Sequence, residues 1–281
     1  MKKIAWVTDS TAYLDESMKS HPDVYQVPMS IIMDGKEYMD GIDLGPEELY
    51  SRLKTLDSPP TTSQPAIGAF RELYEKLGEE YDQVISILVS AKLSGTVESS
   101  RQAAQLLEIP VLTIDSKIMS YPLTVLIKKG MELAAKGQSP EEIRLRLEEI
   151  RDATDTYVLI GSLEQLHRSG RMTGAKFFLG SMLNIKPIIS IKDGVLDIKE
   201  KARSEKKAKE KIANLLKAAN EDRPLEEVWL LYGLHREVAE EWKRELEKDF
   251  PETRFESYPL AAVIGVHAGE HTLGLSWNTK I

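Results

Sequence analysis

The chain has 281 residues, 42 % of them hydrophobic, with a formal net charge of -8 and a pI near 5.4, enough material for two domains with a sizeable core in each. The acidic balance argues against a nucleic-acid partner, because phosphate contacts need a clustered positive field, and a chain with no cysteine has no disulfides, thiolate zinc site or Cys nucleophile and fits a reducing compartment. No apolar run reaches the roughly 18 residues of a membrane span, and MKKIAWVTDST is too short in apolar residues for a signal peptide, so the expected location is cytoplasmic.

In chain order, Ile4 to Val7 reads as a buried strand followed by Asp9, Ser10 and Thr11, where open α/β sheets bind ligands. Further strands are expected at Val24 to Ile32, Val84 to Val89 and Pro110 to Ile114. Helical periodicity falls between them at Pro46 to Leu56, Ala66 to Tyr81, Thr96 to Leu107, Pro122 to Ala135 and Pro140 to Arg151. Such alternation is the signature of a parallel sheet covered by helices. Asp-Ser follows an apolar strand twice, at Asp9-Ser10 and Asp115-Ser116, where each Asp also suits the cap of a following turn.

After Thr154 the character changes. Tyr157 to Ile160 reads as a strand, Leu163 to His167 as a short helix closed by Gly170, and Arg171 as a fixed cation at the corner beyond it. Ala175 to Leu183 is almost wholly apolar and should be buried or line a cavity, with Gly180 inviting close approach. Lys186 to Ile191 and Val195 to Glu200 flank Asp193-Gly194, a hairpin signal. Next come a basic helix at Ser204 to Ala219, a strand at Val228 to Leu234, a charged helix at Glu237 to Lys248, and strand-like segments at Phe255 to Tyr258 and Val263 to Val266. The fold class predicted is α/β in two domains: residues 1–153 with a mainly parallel sheet covered by helices, and residues 154–281 as an α/β domain with antiparallel pairing.

A guanidinium beside a long apolar wall suits an amphiphile with one anionic head and a long tail. An ordinary buried helix whose flanking Arg171 pairs with a protein carboxylate is the alternative. Thr61-Thr62-Ser63-Gln64-Pro65 and Ser94-Gly95-Thr96 each precede a helix with hydroxyls at capping positions, so either makes a donor-rich N-terminus for a carboxylate or phosphate, or simply a cap. No glycine-rich nucleotide loop is present. His267-Ala268-Gly269-Glu270-His271 matches H-x-x-E-H, but that chemistry needs both histidines on one helix face, and the glycines and β-branched flanks argue against it. His267 reads instead as a hydrogen-bond donor to a ligand head group, and no metal is assigned. Arg203, Lys206, Lys207, Lys209 and Lys211 form a basic stretch that is either solvated or docks to an acidic partner or an anionic membrane surface.

Taken together, VTDST, PTTSQP, LSGT, SGRMTGAKFFLGSMLNIKPIISIKDG, ARSEKKAKEKI and IGVHAG resemble the DegV family, which includes the fatty-acid-binding subunit of bacterial fatty acid kinase. The resemblance covers nearly the whole chain. It implies a fatty acid between two α/β domains, its acyl chain buried in the second, with no cofactor and no catalysis by this chain. It also implies that Thr62, Ser94, Arg171 and His267 hold the carboxylate. Arg203 matches a position implicated in work with the partner, the catalytic subunit of the fatty acid kinase, and a transient membrane contact fits the same picture. Two departures stand out: Glu270-His271 replaces the usual Pro-Gly after His-x-Gly, and Ser169-Gly170-Arg171 replaces Gly-Gly-Arg. A reading from another class is a hydrolase or acyltransferase with Ser94 as nucleophile and His267 as base, although no G-x-S-x-G elbow surrounds Ser94.

Overall fold

The computed structural model describes residues 3–53, 55–56, 58–172 and 185–281. The apolar run Ala175 to Leu183, with Gly180, lies outside the described residues. Four parallel strands, β1 (Ile4–Asp9), β2 (Val24–Val27), β6 (Gln83–Leu88) and β7 (Val111–Asp115), form one sheet in the order β2-β1-β6-β7. Side chains alternate across it as the pleat demands. Ala5, Val7, Val84 and Leu88 pack with Phe70 and Tyr74 of α3 (Ile67–Leu77) and Val97 of α4 (Thr96–Ala104). On the opposite face Trp6, Ile85 and Ile87 pack with Leu123 and Ile127 of α5 (Tyr121–Ala135) and Leu147 of α6 (Pro140–Asp152). Helices on both faces bury the two central strands, β1 and β6, almost throughout, which is why those strands are legible as short buried runs.

Among the described residues the second half holds six strands in the order β10-β9-β8-β13-β11-β12: β8 (Thr154–Leu159), β9 (Lys186–Lys192), β10 (Val195–Ala202), β11 (Glu227–Tyr232), β12 (Arg254–Pro259) and β13 (Leu273–Asn278). All neighbours are antiparallel except β11 and β12. Asp193 and Gly194 at the β9–β10 turn have φ 48° and 83°, the backbone that Asp-Gly hairpins use. One face, with Leu159, Ile188, Leu230 and Leu275, is covered by α8 (Glu205–Asp222) and α9 (Arg236–Asp249) through Ile212, Leu216, Trp242 and Leu246. The residues between them, Val158, Ile189 and Leu231, point to the other face and line a cavity. Ser204 caps α8, accepting from the Lys207 N–H at 3.2 Å.

Three segments differ from the sequence expectation. Val24 to Ile32 is two strands, because Pro28 removes a ladder donor and turns the chain. Its second half, β3 (Ser30–Met33), joins β4 (Lys36–Met39) and β5 (Thr61–Ser63) in a separate antiparallel sheet. Thr61–Ser63 is therefore a strand rather than a helix cap, and the N-cap of α3 is Ala66, with no side-chain cap bond. Val263 to Val266 lies in a helix, α10 (Ala262–Ala268), not a strand. Six of its seven residues are buried, and an apolar run surrounded on all sides has no periodicity to separate helix from strand.

Candidate functional site

Two carboxylates position the loop that carries Ser94. Asp9, fully buried at the end of β1, accepts from the Thr11 N–H at 3.0 Å, from the Thr11 hydroxyl at 2.5 Å, and from the Val89 N–H at 2.7 Å. Asp115, at the end of β7, accepts from the Lys117 N–H at 2.9 Å and the Ala91 N–H at 3.1 Å. Each Asp thus caps its own turn and also grips the segment beyond β6 between them. Burial pushes the Asp9 carboxyl above the usual range, against the pull of these donors. Ser94 follows that segment, its hydroxyl paired with Thr96 Oγ1 at 2.9 Å. Gly95 is the N-cap of α4 and no side chain caps the helix, so the hydroxyls expected as caps are turned to each other instead.

Arg171 stands at the corner the sequence indicated. Ser162 caps the preceding helix, α7 (Leu163–Ser169), and Gly170 closes it at φ 67°, a left-handed conformation that glycine adopts without strain. The guanidinium donates to the Ser169 carbonyl at 2.7 Å and reaches the Leu93 carbonyl at 3.5 Å, so it bridges the two halves of the chain. No carboxylate among the described residues pairs with it. Burial alone pulls its pKa below the ordinary arginine value.

His267 lies in the last turn of α10. That helix starts without a cap of its own, and the buried Asp40 supplies one by accepting from the Val263 N–H at 3.2 Å. Burial pushes the Asp40 carboxyl up to about 6, against the pull of the Val263 N–H. At the other end Gly269 has φ 85°, and a Cβ there would come within 2.9 Å of Ser162, so only glycine lets α10 meet the start of α7 so closely. His267 Nε2 is 2.8 Å from Thr62 Oγ1, a bond joining residues 205 positions apart. Burial, and then the charge of Arg171, hold His267 down to about 4, so the imidazole is neutral at neutral pH.

Thr62, Ser94, Arg171 and His267 all line one cavity with about 930 Å³ of space between atoms, part of it open to solvent. Its remaining lining is mainly apolar, including Leu196, Leu231 and Ile264. Thr62, Arg171 and His267 also border an outer recess next to Pro59, Pro60 and Arg168, so they form the threshold between the apolar interior and the surface. Arg203 is exposed between β10 and α8 and takes no part in the cavity. Glu270 and His271 are also absent from its lining, so the departure from Pro-Gly leaves the threshold residues together. The hydrolase arrangement is not formed: His267 pairs with Thr62, Ser94 pairs with Thr96, and an imidazole held near 4 is a weak base.

Ser120 was missed by sequence reasoning. It lines the cavity, its buried hydroxyl has no hydrogen-bond partner among the described residues, and its φ of 62° with ψ of -148° is a backbone conformation that is costly for a residue other than glycine. Tyr121-Pro122 after it marked a helix start, but nothing in the local sequence signals that backbone.

By class this is a two-domain α/β protein with an apolar cavity whose threshold carries an arginine. The chain belongs to the DegV family: residues 3–280 match the family model described as "Uncharacterised protein, DegV family". A DegV domain-containing protein of Listeria innocua is 38 % identical over 281 residues, 99 % of each chain. DegV of Bacillus subtilis, solved as a fatty acid binding protein, is similar with a TM-score of 0.89 and 34 % identity over 100 % of both chains. The DegV family protein of Thermus thermophilus, solved for its fatty acid binding, gives a TM-score of 0.89 and 32 % identity over 98 % of this chain and 99 % of that one. No helix among the described residues is long and apolar enough to cross a membrane.

Proposed function

We propose that this chain binds a free long-chain fatty acid, with the acyl tail in the apolar cavity and the carboxylate at Arg171, Thr62, Ser94 and His267. The observation that carries the reading is Arg171, a half-buried cation at the threshold with no carboxylate partner among the described residues. A buried guanidinium gains most from a planar anion that accepts two of its hydrogen bonds, and a carboxylate is that anion. Thr62 and Ser94 offer hydroxyls to the remaining acceptor sites, and His267 offers a neutral N–H if it takes that tautomer. Burying about 15 methylenes contributes on the order of 12 kcal/mol before ordering costs, against about 1.5 to 3 kcal/mol for an Arg–carboxylate hydrogen bond. The tail supplies affinity and the polar residues orient the head. That solved relatives from Bacillus subtilis and Thermus thermophilus bind fatty acids supports the same assignment.

The chain itself supplies no catalytic group and needs no cofactor in this reading. It works in the cytoplasm and presents the carboxylate to a separate ATP-dependent kinase. There a carboxylate oxygen attacks the γ-phosphate and ADP leaves, giving the acyl-phosphate. Arg203 contacts that kinase, and a transient membrane contact delivers or receives the lipid. We take the domain boundary between residues 153 and 154, so that movement of one domain against the other exposes the head while the tail stays covered. The test is native mass spectrometry of the purified chain, followed by extraction and identification of what was bound. A stoichiometric free fatty acid is expected. No lipid, with no uptake of added oleate, would overturn the reading.

A further inference from the structure

We infer that His235, Glu270 and His271 form a binding site for a borderline divalent transition-metal ion, of the zinc, cobalt or nickel type, outside the cavity. His235 is the last residue before α9, in the turn that leaves β11, and Glu270 and His271 precede β13. The antiparallel ladder of β11 and β13 runs on past the strands through two backbone bonds: the Gly233 N–H donates to the Thr272 carbonyl at 2.8 Å and the Leu234 N–H to the Glu270 carbonyl at 2.9 Å. The backbone, rather than chance contact of side chains, therefore brings the three residues together. The two imidazoles stack with centroids 4.4 Å apart at 9°. A nitrogen of each and a Glu270 oxygen lie within 4.8 Å of one another.

The donors' chemistry selects the ion. Two imidazoles and one carboxylate suit zinc, cobalt or nickel, and leave a fourth position to water. Magnesium and calcium want six or more oxygens in their shell, so they are poor candidates. Glu237 Oε1 stands 3.3 Å from His235 Nδ1. A carboxylate at Nδ1 favours the tautomer that leaves the lone pair on Nε2, the arrangement that orients metal-binding histidines. Nε2 of His235 is buried with no hydrogen-bond partner among the described residues. Tetrahedral ligands about 2.0 to 2.1 Å from zinc sit roughly 3.4 Å apart, closer than the present spread. His271 Nε2 already stands 3.4 Å from Glu270 Oε1, and its side chain, 67 % exposed, has room to turn and bring the set together. The same set explains why the H-x-x-E-H string is not a protease helix: Gly269 ends α10 before Glu270, and His271 faces His235 rather than His267.

The test uses the full chain stripped with EDTA and titrated calorimetrically with zinc sulfate, with magnesium chloride as the control. One zinc per chain is expected, with no response to magnesium. His235→Gln and His271→Gln should each weaken zinc binding at least about tenfold, and Glu237→Gln by a similar factor through the ring it orients. Imidazole NMR signals of the unmodified chain give a readout that does not depend on the variants folding: His235 and His271 should shift on zinc addition while His267 does not. No zinc uptake, uptake unchanged in both histidine variants, or shifts confined to other histidines would overturn the site.

Discussion

At the threshold of the cavity a cation, a neutral imidazole and a hydroxyl come from three separate pieces of chain, with the Ser94 hydroxyl on the cavity wall beside them, held by bonds such as Thr62 to His267 and Arg171 to the Leu93 carbonyl. On the wall, one face of a single sheet presents Val158, Ile189 and Leu231 without any charge. The wall costs little to build, because the pleat sends alternate residues to opposite faces. The threshold is costly, because Arg171 and His267 are desolvated without a protein anion beside them among the described residues. An amphiphilic anion answers both halves at once, which neither a sugar nor an inorganic phosphate does.

The largest effect belongs to the ligand's tail. If the wall supplies affinity, shortening a bound acid from sixteen to eight carbons removes eight methylenes, about 6 kcal/mol or roughly ten-thousand-fold in affinity. Displacement of a fluorescent fatty acid by octanoate and by palmitate measures it. Octanoate within tenfold of palmitate would mean that the threshold, not the wall, dominates.

The next effect belongs to the head. Arg171→Leu should weaken palmitate binding by about 1.5 to 3 kcal/mol, about tenfold to a hundredfold, since a charged hydrogen bond is lost. Hexadecanol, which shares the tail but not the charge, should bind the variant at least as well as the unmodified chain. Equal losses for acid and alcohol would turn Arg171 into a packing residue and remove the main support for the proposed head group.

Much of the wall was legible in the sequence and little of the threshold was. Alternating apolar strands and the Asp193-Gly194 turn announce themselves locally, because pleat and turn chemistry are local. Pro28 carried the information that splits Val24 to Ile32, and reading the apolar run through it was the error. Gly170 and Arg171 were legible as a corner, but that the corner faces Thr62, Ser94 and His267 is a fact of tertiary packing that no spacing encodes. Only the family resemblance put the four in one place. Asp40 and Ser120 had no such help: a carboxylate that caps a helix more than 200 residues away leaves no mark on its neighbours. The pairing of His235 with His271 is equally invisible, since it arises from the register of β11 against β13.

The smallest predicted effect tests whether the threshold is desolvated in the folded chain. Burial, and then the charge of Arg171, hold His267 down to about 4 in the folded chain, against about 6.5 for a free imidazole. The unfolded chain therefore binds more protons between those values, and stability, complete above pH 6.5, falls as pH drops toward 4. Between pH 7 and pH 5 this one group removes about 2 kcal/mol. His267→Asn loses the bond to Thr62 at every pH but should lose about 2 kcal/mol less than the unmodified chain on going from pH 7 to pH 5, measured by urea unfolding at both. Every other titrating group is common to the two proteins, so the difference isolates the imidazole. Equal acid sensitivity would mean that water reaches His267, and a wetted threshold would hold a carboxylate far less tightly than a dry one.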